Sequence, residues 1–150
     1  MRRFLCILLI VLFIIVLDQI TKCLVIRYVN PFDSIEIFPF LHLVNVRNTG
    51  AAFGMFKGLG SNFFVIISVV AIIFVTYLVI RKVYNIFGLS LLLGGAIGNL
   101  IDRILYGKVV DFIDFSVGTF RWPAFNVSDS SLTIGIAIIF LTSILKELKK

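Results

Sequence analysis

Asp18, Asp102, Asp111 and Asp129 stand in a chain otherwise dominated by apolar residues, and carboxylates brought to one depth can do general acid and base work on water. At the helical rise of 1.5 Å per residue, Asp18 lies about 21 Å beyond Phe4 in an apolar run. Asp102 follows Ile86 by sixteen residues and reaches a similar depth, Asp111 comes nine residues later, and Asp129 enters the last apolar run from the same side. A carboxylate within a bilayer is costly unless it is paired or faces a wet cavity, which makes each of these a functional candidate. Other catalytic sets fail on residue types. His42 is the single histidine and Cys6 and Cys23 the two cysteines, too few for a zinc site, an HExxH motif or a Ser-His-Asp triad, and no GxSxG elbow occurs. No metal or other cofactor is expected. What remains for hydrolysis is a carboxylate pair, whose like charges split their proton affinities so that one member acts as base and the other as acid. Asp111 and Asp129, near the surface and reachable by water, are the natural pair, but residue types alone do not separate them from Asp102 or Asp114.

Each acid also has a plain structural role open to it. Asp18 and Lys22 stand at i and i+4 with the acid first, the favourable order for an intrahelical ion pair. Arg103 can extend outward while Asp102 ties loops together. Asp129 suits the start of a helix, where negative charge complements the macrodipole. Gly94 and Gly98 form a GxxxG spacing, which serves close helix packing.

The elements that must position these groups follow from the apolar runs. Helices are expected over about 4–26, 63–80, 86–106 and 130–145, the first of them long enough at 1.5 Å per residue to cross a hydrocarbon core of roughly 30 Å. Residues 29–60 carry Pro31 and Pro39 and then LHLVNVRNTG, whose β-branched residues suggest short strands ending at Asn48, Thr49 and Gly50. Residues 107–128 concentrate Phe112, Phe115, Phe120, Trp122 and Phe125, read as an aromatic loop at headgroup level. The fold class expected is an all-α integral membrane protein of four spanning helices, with a small extracytoplasmic β-sheet and an outer aromatic loop, as one domain over 1–150.

Composition agrees. Of 150 residues, 60% are hydrophobic and 15% charged, and the mean hydropathy is +1.11, outside the range of a soluble domain. The net charge of +6 is read as a topology signal and not as nucleic-acid binding. Arg2, Arg3, Arg81, Lys82, Lys146, Lys149 and Lys150 crowd the short segments on one side, which places both termini in the cytoplasm by the positive-inside rule. Seven further Lys and Arg on the other side are spread through longer segments with seven of the eight acids. Cys6 and Cys23 lie about 25 Å apart along one helix and cannot pair within the chain. The basic N-terminus followed by an apolar run imitates a secretory signal peptide, but no small-residue cleavage site follows, so it is read as a retained helix.

The run GGAIGNLIDRILYGKVVDFIDF at 94–115, followed by WPAFNVSDSSLTIG at 122–135, resembles the bacterial lipoprotein signal peptidase (signal peptidase II) family in wording and spacing. LDQITK at 17–22 and VRNTGAAFGMF at 46–56 are similar to that family's other two motifs, so the resemblance spans about 15–135. It implies an aspartic endopeptidase of the bacterial inner membrane, with its site near the outer face. Such an enzyme removes the signal peptide from prolipoproteins just before the diacylglyceryl-modified cysteine, without a covalent intermediate. The resemblance puts catalysis on Asp111 and Asp129, and supporting roles on Asn99, Asp102, Arg103 and Asn126, and on Asp18, Lys22 and Asn48. Its implied partners are diacylglyceryl-modified prolipoproteins, membrane lipid and globomycin-type inhibitors. One departure is Ser128, where the family commonly has alanine. A competing reading, a small ion-coupled transporter, draws on the same buried charges, but these cluster in one layer and no inverted repeat is evident.

Overall fold

The computed structural model describes residues 2–50 and 60–149. Four helices dominate: α1 (Arg2–Tyr28), α2 (Gly60–Arg81), α3 (Ile86–Tyr106) and α4 (Val127–Glu147). All four are long and apolar enough to cross a membrane, where a helix satisfies its own backbone groups without help from water. The central helix is α3, which packs against each of the other three. Phe13, Ile66, Val70, Phe140 and Leu141 of the outer helices point away from the bundle and are exposed, as lipid-facing residues should be.

Backbone contact between α3 and its neighbours depends on missing side chains. A Cβ on Gly98 would run into Ser128 Oγ and stand 2.8 Å from Asp18 Oδ2, while one on Gly135 would come within 2.8 Å of the Gly88 carbonyl. The glycine spacing therefore does serve packing, and it draws α1 and α4 onto the polar end of α3. The helix ends are capped locally. Asn85 accepts from the amides of Phe87 (2.9 Å) and Gly88 (3.1 Å) at the start of α3, and Gly107 closes its other end with a left-handed φ of 68°. Helix α4 begins three residues earlier than expected. The reason is a capping box: Asn126 accepts from the amide of Asp129, whose carboxylate accepts from the amide of Asn126.

Between α1 and α2 the chain forms β1 (Ser34–Phe38) and β2 (Leu41–Asn48); between α3 and α4 it forms β3 (Val109–Val117) and β4 (Phe120–Arg121). They make one antiparallel sheet in the order β1-β2-β3-β4. Half of the outer aromatic loop expected over 107–128 is thus strand, because VVDFIDF pairs its β-branched residues with LHLVNVRN of β2. Its rings stack on the sheet in a series running Phe38, Phe40, Phe115 and Phe125. Val110 and Phe112 of β3 pack with Val25 of α1 and with Val29 just beyond its end, fixing the sheet to the bundle. Residues 51–56, the second half of the motif at 46–56, lie outside the described residues.

Candidate active site

The polar end of the bundle is built around a buried cation. Lys22 Nζ lies 2.7 Å from Asp18 Oδ2 and 3.0 Å from Asp102 Oδ2, so the intrahelical pair expected in α1 also bridges to α3. Buried charges are tolerated only when their remaining valences are met. Asp18 Oδ1 accepts from the amide of Ser128 at the N-terminus of α4 (2.9 Å), and Asp102 Oδ2 accepts from the amide of Val110 in β3 (3.0 Å). Gln19 completes the cluster by donating to Asp18 Oδ2 (3.2 Å), the Gly98 carbonyl (3.2 Å) and Asp102 Oδ1 (3.0 Å). One ionic knot therefore fixes α1, α3, α4 and β3 relative to one another.

The knot passes its orientation to two further carboxylates. Lys22 Nζ donates to Asn99 Oδ1 at 3.1 Å, which turns the Asn99 amide so that its Nδ2 donates to Asp129 Oδ1 at 2.7 Å. Asn126 Nδ2 donates to Asp111 Oδ1 at 2.7 Å, and Asn48 Nδ2 to Asp111 Oδ2 at 3.0 Å. Asn126 Oδ1 also accepts from the backbone amide of Asp129 (2.9 Å), so a single side chain links the Asp111 carboxylate to the backbone of Asp129. Asp111 comes from β3 and Asp129 from the first turn of α4. Both line a cavity of about 590 Å³ together with Asn48, Asn99, Arg103 and Trp122, a size suited to a ligand. Burial pushes the Asp111 carboxyl up to about 7 and the charge of Asp129 pushes the same way, against hydrogen bonds from Asn48 and Asn126 and the Lys22 cation. Near neutral pH Asp111 can therefore still hold a proton that an ordinary carboxyl would have lost.

All nine residues singled out from the sequence fall in this connected region. Asp18, Lys22 and Asp102 form the knot, Asn48, Asn99 and Asn126 hold the acids, and Arg103 lies at the cavity wall with its guanidinium over the Phe64 ring of α2, 5.5 Å from the centroid. Gln19 was missed; the signal was its place inside LDQITK, next to Asp18. Asp114 needs correction. In an extended VVDFIDF the odd separation from Asp111 puts Asp114 on the opposite face, looking to water or a loop partner. The partner is there but the water is not, since Asp114 is 2% exposed and is bound in a fork by Arg121, with Nε at 2.8 and 3.0 Å and Nη2 at 2.7 Å.

Comparison with known proteins identifies the family and the fold. Residues 10–145 match the family model described as signal peptidase (SPase) II. A lipoprotein signal peptidase of Thermodesulfovibrio yellowstonii is 49% identical over 137 residues, covering 91% of this chain and 90% of the relative. One of Staphylococcus aureus is 42% identical over 143 residues, covering 93% and 87%. Two solved structures described as bacterial membrane enzymes superpose with TM-scores of 0.89 and 0.81, at 38% and 42% identity. The first covers 97% of this chain and 91% of the other, the second 91% of each. The transporter alternative gives way to these matches, and the chain belongs to the signal peptidase II family of aspartic-type membrane endopeptidases.

Proposed function

We propose that the chain works as a single membrane peptidase domain that removes the signal peptide from prolipoproteins just before the diacylglyceryl-modified cysteine, with Asp111 and Asp129 as the catalytic pair. The observation that carries this reading is that the two acids, from β3 and α4, line one cavity and are joined through Asn126. The prolipoprotein substrate is supported by the lipoprotein signal peptidases that the chain resembles over most of its length.

In the reaction so read, Asp129 takes a proton from water, and the oxygen attacks the scissile carbonyl carbon. Asp111, which holds the pair's shared proton near neutral pH because burial raises its affinity, donates it to the carbonyl oxygen. Collapse of the resulting gem-diol then breaks the C–N bond: Asp129 gives its proton to the leaving amine and Asp111 recovers one from the hydroxyl. No bond between enzyme and substrate is needed. The amides of Asn99 and Asn126 keep the two carboxylates in position throughout, while Arg103 at the wall is placed to hold substrate carbonyls.

The site is read as lying near the extracytoplasmic face, with both termini in the cytoplasm and the ring series of the sheet at headgroup level. The substrate's signal helix and lipid chains then arrive from within the bilayer, and a globomycin-type inhibitor is expected to occupy the same cavity. Purified protein in detergent, given a diacylglyceryl-modified prolipoprotein and its unmodified twin, tests the substrate reading. Cleavage of the modified form alone is expected, and cleavage of neither would sink it.

A further inference from the structure

Asp114 is a buried carboxylate that the catalytic reading leaves unused. Its side chain is 3% exposed, whereas that of its partner Arg121 is 63% exposed. Asp114 sits in β3 opposite His42 of β2, and Arg121 ends β4. The fork of guanidinium on carboxylate fixes direction as well as distance, which a single-point cation would not do. Arg121 leads directly into Trp122, Pro123, Ala124 and Phe125, and these four residues form one wall of the cavity that holds Asp111 and Asp129. The backbone anchors that wall at its ends. The Trp122 amide donates to the Phe115 carbonyl at 2.8 Å, and the Phe125 amide to the Ile113 carbonyl at 3.0 Å. Asp114 lies in β3 between those two acceptors, so the fork holds the entry to the wall from the strand's middle. An ion pair with one exposed partner adds modestly to stability. Its main consequence here is geometric.

We propose that Asp114 and Arg121 are a positioning pair that sets the shape of the wall formed by residues 122–125 and thereby governs how tightly substrate is held, not how fast the bond is cut. The proposal rests on reading the cavity as the substrate site. Binding strength and chemistry separate in the kinetics, because loss of uniform binding raises KM alone, whereas loss of folded enzyme lowers apparent kcat alone.

The test is the cleavage of a diacylglyceryl-modified prolipoprotein in detergent by Arg121→Gln, Asp114→Asn, the double variant and Arg121→Lys, with Asp111→Asn alongside. Since Arg121 is exposed, its variants are expected to fold. The expected result is KM raised about five-fold or more by either single neutral substitution, with kcat within about two-fold of wild type. The double variant should be no worse than the worse single one, because each already breaks the fork, and Arg121→Lys should fall between. A KM within about two-fold of wild type in Arg121→Gln, or a fall in kcat at unchanged KM, overturns the proposal. Turnover retained by Asp111→Asn would instead overturn the catalytic pair, whatever the Arg121 variants do.

Discussion

Asp111 carries a proton at a pH where an ordinary carboxyl has lost it, and two consequences follow from that one property. With the carboxyl pushed up to about 7, its acid function is present below that pH and is lost as pH rises through it, so the cleavage rate should decline on the alkaline side of about 7. A second, acidic limb belongs to protonation of the pair as a whole. A pH–rate profile flat from acid through pH 8 would contradict the shared proton. Stability runs the same way: the folded state binds this proton and the unfolded chain, with its lower affinity, releases it, so stability falls as pH rises from about 4 to about 7. Asp111→Asn removes that penalty, and its melting temperature at pH 8 should equal or exceed that of the wild type. The acid itself could be found in the sequence, but its affinity could not, since it depends on burial and on Asn48 of β2 meeting Asn126 and Asp129 at the start of α4.

At the scale of elements, the bundle depends on the Lys22 knot and on the close approach at Gly98. Lys22→Met leaves Asp18 and Asp102 buried against each other without their cation and should cost about 3–5 kcal/mol, read as a lower melting temperature in detergent. Gly98→Ala should also destabilise, by about 1–3 kcal/mol, because the added methyl meets Ser128 and Asp18. Ser128→Ala should not: its hydroxyl is buried with no hydrogen-bond partner among the described residues, and removing an unsatisfied group is neutral or favourable. A melting temperature lowered by Ser128→Ala would show that the hydroxyl is bonded after all. The helices were legible because apolar runs of membrane length have few other readings. The β3 strand was not, because its rings were weighed as a membrane belt and its β-branched residues were not weighed as a partner for β2. The start of α4 falls earlier than expected because Asp129 suggests a helix start by its charge, whereas the cap is Asn126, three residues before it.

For the whole molecule, the density of basic residues predicts that the α2–α3 connection faces the cytoplasm and the β3–β4 turn faces outward. In a background without Cys6 and Cys23, which are exposed, a cysteine at Tyr84 should resist an impermeant reagent in intact cells, while one at Thr119 should react. Thr119 is preferred to Gly118, whose φ of 59° suits glycine. The reverse pattern would put the cavity on the wrong side for a secretory substrate. The architecture brings acids from β3 and α4 together with α1 and α3 holding both elements through Asp18, Lys22 and Asp102. What this assembly is for is tested most directly by the rate at which Asp111→Asn and Asp129→Asn cleave a diacylglyceryl-modified prolipoprotein, each first checked to melt cooperatively and no lower than wild type. Asparagine keeps the size of the side chain but cannot exchange the proton. Each variant should lose about 10²–10⁴ in rate while remaining folded, and normal turnover by either one would contradict the catalytic pair.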